Sequence, residues 1–157
     1  MSLTTDLNDP RLGFGIDATP RGQNEVYLVM SEAERAIGFV RPVRHSYVHV
    51  GIPGPKHPLR DLTEAERERF AAYDYAKFEA YPESESAVVG RYWRQLDLDR
   101  VGKGCGARTT MATALAETYA RNPRFYGATY CTGCRMHRPV GENGEFVWDG
   151  SDVRVGT

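Results

Sequence analysis

Cys131-Thr132-Gly133-Cys134-Arg135-Met136-His137 is the stretch on which the reading of this chain turns. Two thiols and an imidazole recur there at even three-residue spacing, with Gly127 and Gly133 close by. Two cysteines separated by two residues reach one metal only if the chain curls tightly between them. Gly133 suits such a curl, because glycine accepts a left-handed backbone. The remaining cysteine, Cys105, sits between Gly104 and Gly106 and has the same turn chemistry. Zinc prefers thiolate and imidazole in a tetrahedron, so the expected ligands are Cys105, Cys131, Cys134 and His137, holding a structural zinc. The fourth position stays open at this level: His45, His49, His57 or a water can replace His137. A water there would make the site reactive rather than closed.

Three other uses of such cysteines fit less well. A redox Cys-x-x-Cys places its second cysteine in the first turn of a helix, whereas Pro139 and turn residues follow Cys134. A c-type haem site needs histidine directly after Cys134, where Arg135 stands. The zinc deaminase signature needs His-x-Glu and a proline before the first cysteine of the pair, but Tyr130 precedes Cys131 and no His-x-Glu occurs. No phosphate-binding loop, dinucleotide fingerprint or nucleophile elbow is present.

Outward from the cysteines, residues 110–121 read as the clearest helix. Met111, Leu115 and Tyr119 recur every fourth residue, with Ala112 and Ala116 alongside, and Asn122-Pro123 ends it. Residues 138–140 and 145–148 read as a hairpin turned by Asn143-Gly144, and Asp149-Gly150 offers a second turn toward 153–155. Toward the N-terminus, residues 25–30 are an apolar, strand-favouring run. Ser31 with Glu34 and Thr63 with Glu66 are capping-box pairs that open short helices, the second running to about Tyr75. Residues 39–40 and 46–50 read as strands; in the second, His45, Tyr47 and His49 share one face. Residues 51–58 hold three prolines and two glycines and form a rigid loop, and residues 87–96 are either a strand or a buried helical turn. Residues 1–24 read as an irregular arm, followed by one domain over 25–157 with the zinc module at about 103–157. The expected fold class is α+β: small antiparallel sheet elements, two or three short helices and a C-terminal zinc-knuckle and hairpin module.

The chain has 157 residues, 41% of them hydrophobic, which is enough for a core, and a formal net charge of -1 excludes a globally basic nucleic-acid binder. The charge is uneven. Residues 91–138 carry nine Lys and Arg against three Asp and Glu, whereas residues 55–90 carry five against eight. Three cysteines do not make a closed disulfide framework. No signal peptide and no membrane span are expected, which points to a reducing cytoplasm, where closely spaced thiols bind metal. Arg41, Arg44, His45 and His49, with Lys56 and His57 in the loop that follows, are candidates for an anion or nucleic-acid patch, though a solvated strand face and a stiff connector account for them more simply. Arg121, Arg124, Arg135 and Arg138, interleaved with Tyr126 and Tyr130, are candidates for phosphate contacts and base stacking, against a reading as surface charge and core tyrosines.

Several stretches carry a resemblance: residues 103–106, 115–123, 125–131, and 139–140 through 145–150, together with Arg41 to Gly51 and the Pro-Gly-Pro loop after it. These are similar to a family of small bacteriophage and prophage proteins with no established activity. The resemblance covers most of the chain from about Val40 onward. It implies an accessory protein acting in the cytoplasm of a bacterial host cell, and it brings no catalytic residues. The expected function is binding of a host macromolecule, most simply a host or phage protein, as a modulator or inhibitor. The alternatives are a nucleic-acid-binding module using the basic 91–138 surface and a metal-dependent hydrolase. No membrane partner is expected.

Overall fold

The structure is a computed structural model that describes residues 2–13 and 22–157. They divide into two compact units, Met1–Gly51 with Gly104–Thr157, and Ile52–Lys103. In chain order the elements are β1 (Ser2–Thr4), β2 (Val26–Leu28), α1 (Glu32–Arg35), β3 (Ser46–His49), β4 (Leu59–Asp61), α2 (Glu64–Arg69), β5 (Tyr75–Ala80), β6 (Gly90–Arg94), α3 (Gln95–Asp99), β7 (Arg108–Thr110), α4 (Thr113–Arg121), β8 (Ala128–Cys131), β9 (Met136–Pro139) and β10 (Phe146–Trp148). The class is α+β with small sheets, as expected, but four short helices are present among the described residues rather than two or three. The N-terminal segment is not irregular throughout: β1 pairs in parallel with β2, Ser2 opposite Val26. Residues 14–21 of the expected arm lie outside the described residues.

The larger unit is built around β3. It runs antiparallel to β10 on one side and to β7 on the other. Strand alternation turns Tyr47 and His49 into the interior, leaving Ser46 and Val48 partly exposed. Tyr47 packs edge-on against Phe146 and Trp148. The expected helical stripe meets this core: Met111, Ala116 and Tyr119 pack with Tyr47, Phe146 and Trp148. Helix α4 itself begins at Thr113, because Arg108–Thr110 is drawn into the ladder with β3. At its other end the Ala120 carbonyl accepts from the Val40 and Arg41 amides, which pins residues 40–41 as a bend, and the strand expected at residues 39–40 does not form.

The C-terminal hairpin is paired differently from the expectation. β9 pairs with β8, joined by the cysteine turn itself, while β10 pairs with β3. Asn143-Gly144 still lies at a turn, with the Gly144 amide donating to the Gly141 carbonyl at 2.9 Å. Tertiary pairing with the buried β3 outcompetes the local hairpin there, since β10 gains a buried neighbour for Phe146 and Trp148. The Asp149-Gly150 turn does fold the chain back, with Gly150 at φ +74° and Arg154 bridged to Val147.

In the smaller unit, β4, β5 and β6 form an antiparallel sheet around buried Phe78 and Trp93. The Thr63–Glu66 capping box forms completely, and α2 ends at Arg69 rather than near Tyr75, because Tyr75 enters β5. Glu79 is buried on β5 and organises its surroundings. Its carboxylate accepts from the amides of Lys56 (2.8 Å) and His57 (3.0 Å) in the proline-glycine loop and from the Trp93 indole N–H (2.9 Å). Glu79→Ala strands three donors. At about 1–3 kcal/mol for each buried group left unmet, it is expected to lower the unfolding free energy of this unit by several kcal/mol, read as a lower denaturation midpoint by Trp93 fluorescence. An unchanged midpoint contradicts this assignment.

Candidate metal centre

The structure brings His49, Cys105, Cys131 and Cys134 together, each offering one ligand atom, all within 4.8 Å of one another. His49 Nδ1 stands 3.3 Å from the Cys105 and Cys134 sulfurs and 3.6 Å from that of Cys131. The Cys105 and Cys131 sulfurs are 3.4 Å apart. A tetrahedron with metal–sulfur bonds of about 2.3 Å has edges of roughly 3.8 Å, so the donor set has both the composition and the dimensions of a four-coordinate metal site. All four belong to the larger unit.

Each ligand is placed by a separate local device. His49 ends β3, one position after Val48 in the ladder, and faces inward opposite Phe146. The Gly104–Gly106 turn lies flat on that strand end: the Gly106 amide donates to the His49 carbonyl (2.9 Å) and the His49 amide to the Ala107 carbonyl (3.1 Å). Gly104 is required there, since any Cβ would run into the His49 and Val50 backbone. Cys131 is the last residue of β8 and is fully buried. The chain then turns through Thr132 and Gly133, the Cys134 amide points at the Cys131 sulfur (3.4 Å), and the Arg135 amide closes the turn on the Cys131 carbonyl (2.8 Å).

The left-handed residue of this turn is Arg135, at φ 57°, not Gly133. Gly133 is needed for space instead, because a Cβ there would lie 2.6 Å from the Cys105 sulfur and 2.7 Å from the Ala107 Cβ. Gly133→Ala is therefore expected to push the Cys105 turn outward. Metal affinity should fall at least tenfold, as measured by chelator competition, while Arg135→Asn, which tolerates the left-handed backbone, should leave it unchanged.

Glu145, just before β10, completes the centre. Its Oε1 is 2.7 Å from His49 Nε2, and both residues are only 1% exposed. A carboxylate accepts there, so the imidazole proton sits on Nε2 and the Nδ1 lone pair faces the three sulfurs. This is the arrangement by which metal-binding histidines are held in orientation and tautomer. For His49, burial pushes the pKa down, but the Glu145 and Cys105 hydrogen bonds outweigh it and raise it. The thiols divide. Burial pushes Cys131 up to about 12 and raises Cys134. Cys105, the exposed member, is brought down to about 7: burial raises it, and the Ala107 amide, His49 and the neighbouring thiols more than offset that. A divalent cation bound by these sulfurs takes them as thiolates, so its binding releases protons, chiefly from the buried Cys131.

His137, the expected fourth ligand, is not in this cluster. In the β8–β9 ribbon Cys131 stands opposite Met136 and Tyr130 opposite His137, so alternation sends His137 to the other face. It lies buried between Tyr27 and Tyr130, with Nε2 3.0 Å from the Tyr27 hydroxyl. The cluster is consequently not C-terminal alone, since one candidate ligand, His49, comes from β3. His49 was legible only as an alternative ligand and as a member of an anion patch, and its burial removes it from any surface patch. Glu145 carried no spacing signal.

The remaining candidates are distributed over the larger unit. His45 is exposed and faces Thr113 (3.4 Å). Arg44 lies over the Trp148 ring, with Nη1 buried and without a hydrogen-bond partner. Arg41 is exposed and bonds its neighbour's carbonyl, at Val40. Arg121 reaches the Gly38 carbonyl (3.4 Å), Arg124 is exposed, and Arg138 contacts the Met136 sulfur (3.6 Å). The basic 91–138 stretch is split between units, with Arg91, Arg94, Arg100 and Lys103 in the smaller one and the rest in the larger. No helix among the described residues is long and apolar enough to cross a membrane. No family model, curated protein or solved structure matches this chain, and its chemistry is read from its own side chains.

Proposed function

We propose that this chain is a zinc-stabilised accessory protein of phage type that acts by binding a host protein rather than by catalysis. The observation that carries this reading is the complete ligand set. Three thiols and the Nδ1 of a carboxylate-held histidine account for all four corners of a tetrahedron, and thiolate-rich, four-ligand sites are structural rather than catalytic zinc sites. A hydrolase would need a water in the fourth position, where His49 stands. The metal's role is then to lock β3, the Gly104–Gly106 turn and the β8–β9 turn into one frame. The resemblance to small phage proteins supplies the setting, and a modulator or inhibitor of a host system fits a chain whose metal site leaves no coordination position for a substrate.

Metal analysis combined with cobalt substitution tests this. Protein purified without chelator is expected to carry one equivalent of zinc. The cobalt form should show the intense visible bands of tetrahedral thiolate coordination, unchanged on adding azide or cyanide. Less than half an equivalent of zinc, or cobalt bands that shift with azide, overturns the structural-site reading.

A further inference from the structure

A second feature of the larger unit lies away from the metal. A cleft of about 840 Å³ runs between the bend at Val40-Arg41, the Asn122-Pro123-Arg124 segment after α4, and the C-terminal stretch from Val153. Its walls are apolar at Val40, Pro123, Tyr126 and Val153. Val40 is 55% exposed and Val153 41%, and Ile37 and Phe39 extend the exposed apolar surface along the same bend. The bend is fixed rather than loose, because the Val40 and Arg41 amides both bond the Ala120 carbonyl at the end of α4.

Three guanidinium groups line this cleft, those of Arg41, Arg124 and Arg154, against one acidic side chain, Glu142. None of the three forms an ion pair with a carboxylate among the described residues, and Arg154 feels only the through-space attraction of Asp152. Arg41 bonds only a backbone carbonyl, and Arg154 is anchored by the carbonyls of Gly51 (2.8 Å) and Gly144 (3.2 Å). Burial makes its charge costlier and lowers its pKa, so a carboxylate arriving beside it is repaid more than one arriving at a free surface arginine.

We propose that this cleft is the docking site for an extended peptide segment of a partner protein in which acidic residues alternate with aliphatic ones. Carboxylates meet Arg41, Arg124 and Arg154, and aliphatic side chains cover Val40, Pro123 and Val153. A nucleic acid fits less well. Its phosphates recur without interruption, while Glu142 stands among the arginines and much of the wall is apolar. The proposal rests on the protein-binding reading above and gives it a location and a ligand chemistry.

The test is an NMR titration of the zinc-loaded, isotope-labelled full chain with a ten-residue peptide of alternating glutamate and valine, at low and at physiological salt. The amide signals of Arg41, Arg124, Glu142 and Val153 are expected to shift, with an affinity that falls as salt rises. The double variant Arg41→Glu, Arg124→Glu should weaken binding at least tenfold while keeping one zinc and a native spectrum. Absence of shifts at the cleft in well-folded, zinc-loaded protein overturns this proposal and leaves the structural-zinc reading untouched. Tighter binding of a mixed-sequence single-stranded DNA at the same signals also overturns it, in favour of nucleic acid. Protein that carries no zinc yet keeps its native spectrum instead contradicts the structural-site reading.

Discussion

Cys131→Ser is expected to empty the metal site and unfold the larger unit at room temperature. Serine is a poor zinc ligand, and Cys131 is the fully buried corner of the cluster, touching both Cys105 and His49. Structural zinc contributes on the order of 10–16 kcal/mol in small zinc-dependent folds, against total domain stabilities of about 5–15 kcal/mol. The metal's contribution is thus of the same size as a whole domain's stability, so losing it removes most or all of the margin. The smaller unit has its own buried Phe78, Trp93 and Glu79, so its amide signals should stay dispersed while those of the larger unit collapse. A variant that melts normally and still holds one zinc contradicts the assignment of Cys131.

The second large effect separates two histidines. His49→Ala should cost more than about a hundredfold in zinc affinity, since even outer partners of a metal ligand are worth 10–100-fold. It also removes the imidazole from the buried Glu145 carboxylate. His137→Ala should keep a full equivalent of zinc and lose only roughly 2 kcal/mol of packing between Tyr27 and Tyr130. Glu145→Ala falls between, with zinc affinity down about 10–100-fold and all four ligands still present. Zinc loss in His137→Ala with retention in His49→Ala would reverse the assignment.

The contrast shows what the sequence could and could not reveal. Glycine turns around Cys105 and the Cys131–Cys134 pair mark chain segments built for close approach, and the three thiols do converge. The helical pair Leu115 and Tyr119 and both capping serine and threonine positions were legible because helical period and first-turn hydrogen bonds are local, whereas Met111 falls before α4 and joins the core from the chain that follows β7. His137 misled because an even three-residue spacing suggests one continuous curl, whereas the chain re-enters a strand at Met136 and alternation takes over. His49 was hidden by its distance: 82 residues separate it from Cys131, and no local pattern reports a partner that far away. The β10–β3 pairing was hidden for the same reason, behind a strong but losing Asn143-Gly144 hairpin signal.

The position of the smaller unit in the chain has a consequence for how the protein is made. His49 lies three residues before Ile52, where that unit begins, and Cys105 two residues after Lys103, where it ends. Cys134 follows His49 by 85 residues. At about 5–20 residues per second, His49 waits on the order of ten seconds on the ribosome before its last co-ligand is synthesised. The whole of Ile52–Lys103, a compact unit with its own buried residues, has been made by then. Metal capture is thus a late event in the life of the nascent chain, and β3 waits for β7 until residues 108–110 are made and for β10 until after Cys134. On the structural-zinc reading, a cell short of zinc would accumulate chains whose larger unit is unfinished, a population that proteolysis during synthesis would reveal.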